Sequence, residues 1–179
     1  MTWKQLLESF SRQPTKTHQQ QREQTTTFAC VSILFSSVIW DKGLLITLSA
    51  HETARQRLLK ELPLSRWYDY DEMRLNLQYD DLGTALTAAF GVSAVLEQQR
   101  LQYTIGVGYG DGIVINQEGK SIEMLRARRV TCFLQPQEIA LTENAKNSID
   151  LPRGVGGFSA PRNLQSFAGV PFWIVKDYR

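Results

Sequence analysis

Leu101-Gln102-Tyr103-Thr104-Ile105-Gly106-Val107-Gly108-Tyr109-Gly110-Asp111-Gly112-Ile113-Val114-Ile115 is the stretch whose reading decides the fold. Large residues at 101, 103, 105, 107 and 109 alternate with small or polar ones, the period-two pattern of a strand with two unlike faces. Gly110-Asp111-Gly112 then predicts a tight turn, and Ile113-Val114-Ile115 its return arm. Upstream, Tyr79-Asp80-Asp81 precedes apolar residues at 82, 85, 86, 89 and 96, with Ser93 on the same side, the spacing of one helix face. Asp80 or Asp81 can cap that helix and oppose its positive end. Downstream, Ser121 to Leu134 predicts a basic helix, and Pro136 to Thr142 a loop leading into a short strand.

Working outward toward the N-terminus, Phe28 to Ser37 is nearly continuously apolar and β-prone, as expected of a central strand buried on both faces. Val38-Ile39-Trp40 and Leu44-Leu45-Ile46 flank Asp41-Lys42-Gly43, a hairpin by pattern. Ser49-Ala50-His51-Glu52 has capping-box spacing, so a helix is predicted from there to Pro63, with His51 a solvated residue of its first turn. Arg66 to Glu72 reads as an exposed acidic and aromatic loop before the alternating strand Met73-Leu75-Leu77-Tyr79. Asp69, Asp71 and Glu72 put three carboxylates there, enough for a divalent cation, though a solvated loop is the simpler reading. Beyond Thr142, a short helix at 143 to 149, a glycine-rich turn region at 154 to 157 and a strand at 170 to 175 complete the pattern.

The ends and the bulk set limits. Residues 1–12 carry Trp3, Leu6, Leu7 and Phe10 at helical spacing, an amphipathic helix expected to dock on the domain itself. Residues 13–27 are rich in Gln and Thr and read as a linker, leaving 28–179 as the globular domain. With 20 basic and 18 acidic residues in 179, the net charge of +2 gives no nucleic-acid signature. Cys30, Cys132, His18 and His51 offer no metal-ligand spacing, and both cysteines read as reduced core thiols. No run is long and apolar enough to span a bilayer, and the start lacks a signal region, so a soluble cytoplasmic protein is expected.

Five segments, in order, resemble the catalytic domain of class III nucleotidyl cyclases, the adenylate and guanylate cyclase family. Val31 to Val38 is similar to its first strand, Tyr79 to Leu96 to its second helix, and Ile105 to Gly112 to its Ile-Gly-Ile-His-x-Gly-Glu strand. Pro136-Gln137-Glu138-Ile139 resembles its Pro-Gly-Glu-Ile segment, and Leu164 to Val175 its closing strand. The resemblance implies an α+β fold of ferredoxin-like type, an antiparallel-rich sheet with helices on one face. It also implies two metal-binding Asp residues, but Ser37 occupies the first position and Met73 stands near the second. The family's Asn and Arg on the basic helix fall on Leu125 and Arg129.

The reading that follows is a catalytically degenerate cyclase-like domain, a binding, scaffolding or regulatory module without cofactor. Its expected partner is a second copy or another protein, with nucleotide left open and Trp67, Tyr68 and Tyr70 as contact residues. The alternative is an active purine nucleotidyl cyclase in which Asp71, Glu72 and Asp111 rebuild a site for magnesium or manganese and Arg129 stabilises transferred phosphate.

Overall fold

The structure is a computed structural model, and it describes residues 24–35, 44–62, 67–70, 73–115, 118–149, 157–159, 161–164 and 170–176. The strands are β1 (Gln24–Phe35), β2 (Trp67–Tyr70), β3 (Arg74–Tyr79), β4 (Tyr103–Ile115), β5 (Glu118–Lys120), β6 (Ile139–Thr142), β7 (Gly157–Phe158), β8 (Arg162–Leu164) and β9 (Val170–Lys176). The helices are α1 (Leu44–Glu61), α2 (Leu82–Gln98), α3 (Ile122–Val130) and α4 (Glu143–Asn147). The sheet runs β2-β3-β1-β4-β6-β9-β7, with β5 on β4 and β8 on β9. Only β4 and β6 pair in parallel among the described pairs; the others are antiparallel. This is the expected α+β class.

Strand parity explains the layers. Ala29, Val31, Ile33 and Phe35 of β1, Leu75, Leu77 and Tyr79 of β3, and Tyr103, Ile105 and Val107 of β4 join one buried cluster. Helix α2 closes it with Leu82, Ala85, Leu86, Ala89 and Leu96, and α1 adds Ala54 and Leu58. Asp81 is the cap of α2: its carboxylate accepts from the Thr84 N–H at 2.8 Å and from the Thr84 hydroxyl at 2.6 Å. These bonds, the hydroxyl's first, hold its pKa below the ordinary carboxylate value. The even-numbered residues of β1 and β4 point the other way, and there α3 packs through Met124 and Ala127 against Cys30. The helices therefore divide between the faces, with α1 and α2 on the expected one and α3 on the second.

The glycines of β4 are the reason. A Cβ on Gly106 would lie 2.2 Å from the Ala127 carbonyl oxygen, and one on Gly108 would lie 2.5 Å from that of Glu123. Helix α3 thus rests on bare strand backbone. Gly110-Asp111-Gly112 is accordingly no turn: β4 runs unbroken past it, pairing Gly110 with Phe28 and Gly112 with Thr26. The expected return arm at 113–115 continues the same strand and pairs with β5.

Three other expectations give way. The stretch 66–72 holds an edge strand, β2, whose aromatic residues suit an extended backbone better than a loop. Leu44-Leu45-Ile46 opens α1 and is not a hairpin arm, because no helix breaker separates Leu44 from the capping-box residues at 49–52. Gln24 to Thr27 belong to β1, paired with Val114 to Asp111, where linker composition had placed them outside the sheet. The amphipathic segment 1–12 lies outside the described residues, as do 13–23 of the linker.

Candidate functional site

Where β1 ends, the second face of the sheet carries a cavity of about 320 Å³. It is lined by Leu34 and Phe35 of β1, Met73 before β3, Thr104 of β4, Thr131 and Cys132 of the 3-10 turn after α3, and Leu134 and Pro136. Register builds this row, since Leu34 faces Arg74 on one side and Thr104 on the other, and the Phe35 N–H donates to the Met73 carbonyl at 2.8 Å. The Thr104 hydroxyl donates to the Thr131 carbonyl at 2.9 Å, which leaves an apolar wall. At the rim, the Arg74 guanidinium approaches the Cys132 sulfur at 3.6 Å. Cys132 is exposed, contrary to its reading as a core thiol, because it follows the last helical turn and only Cys30 points inward. Burial pushes the Cys30 thiol up to about 12.

Phe35 also stacks on His51, with ring centroids 5.1 Å apart. His51 is buried, and neither ring nitrogen has a hydrogen-bond partner among the described residues. It was expected to be solvated; because α1 begins at Leu44, residue 51 lies two turns inside the helix, on the face of Ala54 and Leu58. Burial lowers its pKa below the ordinary histidine value.

Helix α3 starts at Ser121, whose hydroxyl accepts from the Met124 N–H at 3.0 Å. Glu123, 1% exposed, was not singled out from sequence. Its carboxylate accepts from the Arg126 guanidinium at 2.5 Å, from the Thr142 hydroxyl at 2.6 Å and from the Asn144 amide at 3.2 Å. A buried charge so fully partnered fixes α3 to β6 and α4. The signal was present in the spacing: Glu123 stands four residues before the inward Ala127. The opposite face of α3 shows Ile122 and Leu125, each about half exposed, then Arg129 and, past the helix, Phe133.

No family model and no curated protein matches this sequence. Solved structures do match by fold. The catalytic core of a rhodopsin-guanylyl cyclase with converted specificity superposes with a TM-score of 0.68 at 8% identity, over 86% of this chain and 98% of that one. An adenylate/guanylate cyclase/hydrolase from Silicibacter pomeroyi gives 0.62 at 14% identity, over 85% and 97%. A dimeric guanylyl cyclase domain from the aquatic fungus Blastocladiella emersonii gives 0.61 at 11%, over 87% and 98%. The chain has the nucleotidyl cyclase fold.

In this cyclase-fold domain Met73, Asp111 and Arg129 are the expected site residues whose side chains are described. Met73 lines the cavity with a thioether, a soft group ill suited to magnesium or manganese. Asp111 is exposed on β4 opposite Thr27, whose hydroxyl it accepts at 2.5 Å. Thr27 lies eight strand residues from Phe35, roughly 26 Å at ~3.3 Å per residue, so Asp111 cannot share a cation with groups beside Met73. Ser37, Asp71 and Glu72 lie outside the described residues. Among the described residues no cluster of three or more acidic, His or Cys side chains forms a metal site. Met73 and Asp111 thus do not together supply a two-metal centre. In the backbone register Trp67 pairs with Gln78, Tyr68 with Leu77 and Tyr70 with Leu75. Arg129 stands on the exposed side of α3, in line with Leu125.

Proposed function

We propose that this cyclase-fold domain is a binding and regulatory module that has given up two-metal catalysis and associates with a second copy of itself or with another protein. The observation that carries this reading is the lining of the cavity at the end of β1. There Leu34, Phe35, Met73, Leu134 and Pro136 present carbon and sulfur where phosphate chemistry needs hard oxygen ligands. The substitution of Ser37 for a carboxylate two residues past Phe35 supports the same reading. Support for association comes from the place of β2 at the end of the described strand order and from the half-exposed Ile122 and Leu125 on α3. Two free cysteines, one of them exposed, suit a reducing cytoplasm.

Manganese paramagnetic resonance tests the metal half of the proposal. The signal of free manganese should be unchanged on adding the full chain; its stoichiometric loss with protein would restore Asp71 and Glu72 as ligands and favour the enzyme reading. Sedimentation equilibrium tests the other half. A wild type that stays monomeric at high concentration would remove self-association and leave only a different protein as partner.

A further inference from the structure

We propose that the N-terminal segment, residues 2–12, docks on the outer face of α3 in the same chain, its apolar stripe covering Ile122, Leu125 and Phe133. Those side chains are 51%, 52% and 44% exposed, and they make up all but one of the large exposed apolar residues among the described ones. The fourth, Ile113, has odd parity in β4, and it belongs to the opposite sheet face from the glycines that receive α3. Positions 122, 125 and 129 advance by three and four on the side of α3 away from Met124, Ala127 and Val130, and the exposed Phe133 follows in the 3-10 turn. At ~1.5 Å per residue the stripe is roughly 16 Å long.

The occupant is argued from where the chain enters the sheet. Gln24, the first residue of β1, pairs with Val114, and Val114 pairs with Gly119, three residues before Ile122. Two strand spacings of ~4.8 Å put Gln24 within about 10 Å of Gly119, at the N-terminal end of α3. Residues 13–23 can reach about 35 Å at ~3.4 Å per residue, more than the whole stripe requires. The segment they tether repeats the same spacing, with Trp3, Leu6, Leu7 and Phe10 on one side and Gln5, Glu8 and Ser11 between. Its apolar run is about 10 Å long, which fits within the stripe on α3. A partner tethered through a short stretch of chain acts at an effective concentration near millimolar, so it outcompetes a free second copy at ordinary protein concentrations. Docking there would also cover Leu125 and Arg129. If α3 is the face through which copies associate, which rests on the reading above, residues 2–12 act as an internal competitor of that association.

Disulfide trapping in the full chain tests the docking. In a Cys132→Ser background, Leu6→Cys paired with Leu125→Cys should oxidise to an intramolecular disulfide at least ten times faster than Gln5→Cys paired with Leu125→Cys, since residue 5 lies off the stripe. Equal rates for the two pairs would mean random tethered encounter and overturn the proposal. A disulfide found only between chains would overturn it in favour of a second copy. A second measurement avoids paired cysteines: with Leu125→Cys alone, the substitutions Leu6→Ser and Phe10→Ser should speed maleimide labelling at residue 125 severalfold. Unchanged labelling would overturn the docking and leave the proposal on self-association standing.

Discussion

Replacing Gly106 by Ala tests the claim that α3 rides on the glycine row of β4. The new methyl would lie 2.2 Å from the Ala127 carbonyl oxygen, 3.0 Å from its carbon and 3.3 Å from its Cα. These are helix backbone atoms, which have no rotamer to change, so relief requires α3 to retreat by about 1 Å. A gap of that size forfeits a quarter to a half of each contact on the buried face of Met124, Ala127 and Val130. Overpacking of this kind costs about 1–3 kcal/mol. Ala recovers ~0.5–1 kcal/mol because Gly is a poor strand residue. We expect a net loss of about 2 kcal/mol, a fall in Tm of roughly 4–8 °C for a domain of this size. Gly108→Ala should follow closely, since its methyl would meet the Glu123 carbonyl oxygen at 2.5 Å and the Cys30 sulfur at 3.0 Å. Gly91→Ala, inside α2, is the internal control: its methyl would lie 3.2 Å from the Leu62 Cδ2, the end of a flexible side chain, so the change should be near zero or stabilising. Urea unfolding of the three variants measures the series. A Gly106→Ala protein as stable as Gly91→Ala would refute the packing of α3 directly on β4.

His51 predicts a pH dependence. Burial lowers its folded pKa, so below about 6.5 the unfolded chain takes up a proton that the folded chain refuses, and stability present above that pH is lost as pH falls, by at most ~1.4 kcal/mol per unit. His51→Leu should flatten the stability profile between pH 5 and 6.5; an unchanged slope would assign it to other groups. Gln137 holds a left-handed backbone with φ of 69°, at the position where the related motif carries Gly. Gln137→Gly should therefore stabilise the fold by about 0.5–1 kcal/mol in urea titrations, and a loss would mean that the side chain supplies more than the strain costs. Deleting residues 1–22 should leave a cooperative thermal transition, because β1 starts at Gln24; a broad, non-cooperative melt would make the N-terminal segment part of the core.

The elements that sequence made legible are those whose burial follows a simple period. Leu82 to Leu96 carries its core face at helical spacing and Asp81 as its cap, and Leu75, Leu77 and Tyr79 alternate, so α2 and β3 could be read before any coordinates. Ile139–Thr142 and Val170–Lys176 were legible as short apolar strands. What failed were positions whose residue type has two physical uses. Glycine serves turns and also close backbone approach, and only the facing helix shows that Gly110 and Gly112 do the second. Histidine suits a first turn or an inward face, and a helix beginning five residues earlier than the capping box moved His51 from one to the other. Aromatic residues mixed with carboxylates at 67–70 masked a strand whose partner, β3, is not apparent from local pattern. For the site, the absence of acid at 37 and 73 was legible, whereas the cavity was not, because Leu34, Thr104 and Cys132 meet only through strand register.

On the proposed reading this cyclase-fold domain does not run cyclase chemistry. Pyrophosphate release from ATP and from GTP, with manganese and with magnesium, measures it most directly on the full chain. We expect a rate indistinguishable from nucleotide alone at every protein concentration, and no cyclic nucleotide among the products. Metal-dependent release with cyclic nucleotide formed in equal amount, abolished by Arg129→Ala, would contradict it.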